Sequence, residues 1–115
     1  MTTIVLWVAD LNRSADFYKD LFQAHDYYLA DGFASVSGSG NEVLLHLAPE
    51  QYRHEVSIGE DNPIKPVFSV SSIDLAREVA AKHHCAFKAE TILHNGKAYL
   101  DGQDPDGHII QVCSE

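Results

Sequence analysis

The stretch Ile4–Phe22, IVLWVADLNRSADFYKDLF, decides the fold. Ile4, Val5, Leu6, Trp7 and Val8 make a short apolar run rich in β-branched residues, the composition of a covered strand. Asp10 then offers a carboxylate to the unpaired N–H groups of a helix start. Leu11, Ala15, Tyr18 and Phe22 recur at helical spacing, and Phe17 and Leu21 widen the stripe. Arg13, Asp16, Lys19 and Asp20 occupy the opposite, wet side. Strand, sharp turn and amphipathic helix follow one another.

The same pattern returns further along. Pro66–Val70, PVFSV, is a short apolar strand, and Ser71-Ser72 is a capping pair. Ile73, Ala76, Val79, Ala80 and His83 carry a second helical stripe. Val8 and Val70 are matching strand ends 62 residues apart in a chain of 115, so the chain reads as two tandem units. After the first helix, Asp26–Ala30 and Phe33–Ser37 flank an Asp31-Gly32 hairpin turn, and Glu42–Ala48 is a third strand. Pro49–Pro63 is polar, begins and ends on proline and is a linker. In the second half, Cys85–Ile92 reads as a strand and His94-Asn95-Gly96 as a turn. Lys97–Gln103 and Ile109–Cys113 are strands around Asp104-Pro105-Asp106-Gly107, which has the residue order of a type I turn.

The expectation is therefore α+β: two tandem β-α-β-β-β modules, about 1–48 and 64–115, joined by linker 49–63 in a single domain, 1–115. Eight strands form a cup-shaped sheet with the helices on its convex face. In the first strand, Ile4, Leu6 and Val8 alternate with Thr3, Val5 and Trp7. A helix needs the more uniformly aliphatic set, so Thr3, Val5 and Trp7 line the concave face.

Composition excludes several classes. Eight basic against seventeen acidic residues give a net charge of −9, which argues against nucleic acid. No apolar run approaches the roughly 20 residues of a membrane span, and no basic segment precedes an apolar one at the N-terminus. Two cysteines, Cys85 and Cys113, are too few for a disulfide framework, so a cytoplasmic protein without a secretory signal is expected. His25, His54, His94 and His108 fall in turns or the linker and are expected to be solvated.

Two motifs carry a resemblance. Val8-Ala9-Asp10-Leu11-Asn12-Arg13-Ser14 with Phe17-Tyr18 looks like the V-x-D-L-x-x-S-x-x-F-Y opening of the vicinal oxygen chelate superfamily. Asp104-Pro105-Asp106-Gly107 followed by Ile110-Gln111-Val112 looks like its D-P-D-G-x-x-I-E-L ending. With the repeat, the resemblance covers essentially the whole chain. That superfamily holds glyoxalase I, extradiol dioxygenases, fosfomycin-resistance enzymes and bleomycin-resistance proteins, so it implies a fold more than a chemistry.

The resemblance implies a metal in the cup, held by one residue from each of four strands, usually His or Glu. Those positions here are Thr3, His46, Lys65 and Gln111. A divalent ion wants three or four basic N, S or O donors, and only His46 qualifies. Gln111 is neutral, Thr3 is a poor ligand and Lys65 would repel a cation. No metal and no cofactor are expected.

Several residues keep two readings. His46 is a hydrogen-bonded core histidine or a cup residue. Trp7 is core or a stacking wall for a flat ligand. Tyr99 and Asp101 share one face of their strand, which is concave or convex. The function expected is metal-free binding of a small organic ligand, of the bleomycin-resistance type, through Thr3, Val5, Trp7, His46, Lys65, Tyr99, Asp101 and Gln111. The alternative is an enzyme on the same scaffold: a glyoxalase-like lyase, a dioxygenase, or a metal-free acid–base catalyst using His46 and Lys65. A homodimer is expected, because open sheet edges need cover.

Overall fold

The computed structural model describes residues 2–55 and 63–115. Their order is β1 (Thr3–Val8), α1 (Leu11–Phe22), β2 (Tyr28–Ala30), β3 (Phe33–Gly38), β4 (Asn41–Leu47), a 3-10 helix (Glu50–Glu55), β5 (Val67–Ser69), α2 (Ile73–Lys82), β6 (Ile92–His94), β7 (Lys97–Gln103) and β8 (Ile109–Ser114). The fold is α+β, with two β-α-β-β-β units as the repeat predicts. The strands form an open, cup-shaped array hydrogen bonded as two sheets of four, ordered β1-β4-β3-β2 and β5-β8-β7-β6. In both sheets the first strand of the unit runs parallel to the last, and the other pairings are antiparallel.

Alternation along each strand sorts its side chains. Leu6 and Val8 of β1, Val43 and Leu45 of β4, and Ala34 and Val36 of β3 are buried under α1. Phe68, Leu100, Ile110 and Val112 do the same in the second sheet. Asp10 caps α1 by accepting from Arg13 N–H at 3.1 Å, and Ser72 caps α2 by accepting from Leu75 N–H at 3.0 Å. Helix α1 ends on Gln23 in the left-handed region (φ 54°), with the Ala24 N–H closing onto Lys19 O at 2.9 Å.

One hydrophobic cluster spans both units. Tyr18 and Phe22 of α1 pack on Phe68 of β5 with ring centroids 5.6 and 5.2 Å apart. Aromatic pairs of this kind add about 0.5–1.5 kcal/mol beyond the area they bury. The units also clasp each other at their hairpin tips. Asn41, at the β3–β4 turn, pairs its side-chain amide with both backbone groups of Ser69 in β5 (2.7 and 2.9 Å). Asp106, in the β7–β8 turn, accepts from Ala9 N–H just past β1 at 2.9 Å.

The turns follow their sequences. Ser39-Gly40 and Asn95-Gly96 each put two residues at positive φ between paired strand ends, as a two-residue hairpin loop requires. Gly107 N–H closes onto Asp104 O at 2.9 Å, the bond of the predicted turn. Three expectations need correction. Asp26–Ala30 pairs only from Tyr28 onward. The strand expected over Cys85–Ile92 is broken: Phe87 makes an isolated bridge to Gly102, and regular pairing resumes only at Ile92. Arg77 of α2 explains the break, because its guanidinium takes Lys88 O, Ala89 O and the Thr91 hydroxyl at 2.9–3.0 Å. Part of the expected linker is helical, at Glu50–Glu55, while 56–62 of that linker lie outside the described residues.

Candidate functional site

The sheet faces turned away from the helices hold the predicted site residues. On the first sheet, Thr3, Val5 and Trp7 of β1 lie across from Glu42, Leu44 and His46 of β4. Val5 and Trp7 are 48% and 53% exposed, so Trp7 is an open-face residue rather than core. His46 sits between two rings directly across from it in the neighbouring strands. Its centroid is 5.6 Å from Trp7, edge-on, and 6.2 Å from Phe33. The Thr3 hydroxyl donates to Glu42 Oε1 at 2.5 Å, and Ser37 donates to Glu42 Oε2 at 3.3 Å.

On the second sheet, Asp101 takes the open face together with Tyr99 and Gln111, because Leu100, Ile110 and Val112 face the helices. Two predicted residues converge on one oxygen of it. Lys65 Nζ lies 3.3 Å from Asp101 Oδ1, and Gln111 Nε2 donates to the same atom at 2.9 Å. Tyr99 stands two positions along β7, half-buried, across from Cys113.

The predicted site is thus gathered into two groups, Thr3, Val5, Trp7 and His46 on one sheet and Lys65, Tyr99, Asp101 and Gln111 on the other. Among the described residues no hydrogen bond, ion pair or ring contact joins them. Glu42 and Phe33 belong to the first group and were not anticipated. Strand alternation from His46 places Glu42 on its face, and register places Phe33 beside it.

These donors do not fit a divalent metal. Lys65 presents a cation already held by Asp101, and the Gln111 amide spends an N–H on that carboxylate. The Thr3 hydroxyl is committed to Glu42. Only the His46 imidazole matches the chemistry a metal selects.

A second polar cluster lies at the β7–β8 turn. Asp104, Asp106 and His108 bring ligand atoms within 4.8 Å of one another. Every one of these side chains is engaged in the fold. Asp104 Oδ2 accepts from the Tyr18 phenol at 2.6 Å and contacts His108 Nδ1 at 2.8 Å. Asp106 accepts from Ser14 Oγ at 2.7 Å, Arg13 Nη2 at 2.8 Å and the Ala9 N–H. Burial, and then the Asp104 charge, push the Tyr18 phenol well above its ordinary pKa, so it stays a donor. His108 is therefore not solvated as expected. Burial lowers its pKa, but the hydrogen bond and charge of Asp104 outweigh that and raise it. His25 and His94 are exposed as expected. Cys85, half-buried, is pushed up to about 11 by burial and stays a thiol.

A family model described as Glyoxalase/Bleomycin resistance protein/Dioxygenase superfamily matches residues 1–112. No curated protein matches the chain in sequence. Solved structures do match in shape. A glyoxalase/bleomycin resistance protein from Albidiferax ferrireducens T118 superposes with TM-score 0.76 at 14% identity, covering 100% of this chain and 98% of that one. The fosfomycin resistance protein FosX from Listeria monocytogenes gives 0.73 at 19% identity, over 100% and 90% of the two chains. FosX from Mesorhizobium loti gives 0.72 at 14%, over 100% and 91%. At these identities the likeness is one of fold.

Proposed function

The chain belongs to the Glyoxalase/Bleomycin resistance protein/Dioxygenase superfamily, and from that premise we propose that it binds a small organic molecule without a divalent metal at the family's metal positions. One observation carries the reading. Lys65 and Gln111, at two of those four positions, are both engaged by Asp101, which leaves neither as a donor for a metal cation. The remaining surface suits a ligand: Trp7, His46 and Phe33 form an aromatic wall with a few polar groups around it. Sequestration of an antimicrobial, in the manner of a bleomycin-resistance protein, is the first ligand class to screen. The acid–base alternative has less behind it, since no described contact brings His46 to Lys65.

In this reading the protein is a cytoplasmic homodimer of one domain, with modules about 1–48 and 64–115 and linker 49–63. Val5 and Val67 lie on edge strands, 48% and 51% exposed, apolar positions that a second copy would cover. No described helix is long and apolar enough to cross a membrane.

Calorimetric titration of untagged protein with Ni²⁺, Zn²⁺ and Mn²⁺ tests the metal-free reading. Stoichiometric micromolar binding abolished in His46→Ala would overturn it. A ligand library is then screened by fluorescence of Trp7, the one tryptophan. Hits should weaken roughly 5- to 150-fold in Trp7→Phe or His46→Ala, the range of a buried contact worth about 1–3 kcal/mol. Sedimentation should give twice the 12.7 kDa chain mass, and a monomer at tens of micromolar would remove the dimer.

A further inference from the structure

The broken strand before β6 leaves a shaped space. Lys88 N–H bonds Asp101 O and Gln103 N–H bonds Ala86 O around the Phe87–Gly102 bridge, and pairing resumes at Ile92 with Tyr99. Lys88–Thr91 therefore oppose only Leu100 and Asp101, which makes this a bulge. Bulges of this kind recur beside binding sites, where they re-aim side chains and interrupt pairing. Arg77 pins the bulge outward through the Lys88 and Ala89 carbonyls.

Two hollows flank it, of about 250 and 350 Å³. Ile109 is the open-face apolar residue of the first and Ile92 of the second, Glu90 borders the second, and Asp101 and Lys88 line both. The Phe87 ring rests on Gly102 on the helix-facing side of β7, where a Cβ would lie 2.2 Å from it, so only glycine lets the bulged segment lie this close to β7. Asp101 stands at the waist of a two-lobed groove. Both of its described hydrogen bonds fall on Oδ1, from Lys65 and Gln111, and none of those described falls on Oδ2. With the Asp101 side chain 28% exposed, that oxygen is open to a donor carried by a ligand. Because Lys65 already offsets the Asp101 charge, a neutral N–H or O–H donor suits it better than a cation.

We infer that this groove takes a neutral, elongated aromatic molecule, its apolar parts in the two lobes and an O–H or N–H donor on Asp101 Oδ2. The inference rests on the small-molecule reading above and adds to the Trp7–His46 wall a subsite on the second sheet.

The test uses the full chain, labelled with ¹⁵N, and four probes: 4-phenylphenol, its methyl ether, biphenyl-4-carboxylate and 4-phenylbenzylammonium. The phenol should shift the amides of Phe87, Ile92, Asp101 and Ile109 saturably, and the ether should bind at least about tenfold more weakly, the worth of a hydrogen bond to a charged group. Asp101→Ala should cost the phenol a similar factor and leave the ether unchanged. Should Asp101→Ala fold poorly, Ile92→Lys at a position 50% exposed serves instead and should weaken both probes. Equal binding of phenol and ether, tighter binding of the carboxylate or the ammonium, or no binding of any probe would overturn the inference. Shifts centred on Trp7 and His46 would also overturn it, while leaving the small-molecule reading intact.

Discussion

Asp106→Ala should cost this fold more than the loss of any exposed ion pair. The Asp106 side chain is 1% exposed and accepts three hydrogen bonds, all from the other end of the chain. Truncation leaves the hydroxyl of Ser14, a residue with 0% exposure, and the Ala9 N–H without their acceptor. The orphaned buried Ser14 hydroxyl costs about 1–3 kcal/mol, and the half-buried Ala9 N–H up to a similar amount. The Arg13 side chain, 46% exposed, can turn to solvent, so its loss adds little. The sum is about 3–5 kcal/mol, which matches the usual cost of removing one partner from a buried charged network. A small domain has about 5–15 kcal/mol in total, so the variant should stay folded but lose a large share of its stability. With a urea slope of about 1.5 kcal/mol per molar, the midpoint should fall by roughly 2–3 M at an unchanged slope. Ser14→Ala alone should cost about 1 kcal/mol. Combined with Asp106→Ala it should cost less than the sum of the two, because the orphaned hydroxyl is gone. A midpoint shift under about 0.5 M for Asp106→Ala, or strict additivity with Ser14→Ala, would refute the claim that this carboxylate ties the two units together.

Gly38→Ala should also be costly, because a Cβ at that position would meet Phe22 O at 2.8 Å and Phe22 Cβ at 3.0 Å, at the end of α1 where backbone must give way. Overpacking of this order costs about 1–3 kcal/mol, and a melting temperature lowered by roughly 4–15 °C in calorimetry is expected. For His108 the sign follows from its raised pKa. The stabilisation it draws from Asp104 is complete below its unfolded value of 6.5 and fades as pH rises through the higher folded value. The urea-midpoint difference between the wild type and His108→Gln should therefore be larger at about pH 5.5 than at about pH 8.5, and a difference that grows with pH would contradict it.

Much of the fold was legible from residues close in sequence. Alternation in Thr3–Val8 separated the face that packs under α1 from the face left open, and the same period-two argument covers β4 and β8. Asp10 and Ser72 announced the helix starts because capping is satisfied within three residues. Asn95-Gly96 announced its loop because the backbone there needs two positive φ angles, at 51° and 76°.

The site was legible in its members but not in its pairings. That Lys65, Asp101 and Gln111 share a face follows from counting along strands. That two of them meet on one carboxylate oxygen depends on β5 docking parallel to β8, a pairing between segments about forty residues apart. His108 read as a solvated turn residue, because nothing near it in sequence reveals that the turn is folded onto Tyr18 of the other unit. The bulge at Lys88–Thr91 was likewise invisible: the segment has strand-like alternation, and Arg77, more than ten residues away on α2, overrides it by taking its carbonyls. Periodicity, caps and tight turns are set by energies acting within a few residues, so the sequence by itself determined the repeat, the elements and the two faces of each strand. Which carboxylate meets which cation, and where a strand is interrupted, are set by contacts between elements apart in the sequence, and only the tertiary structure decided them.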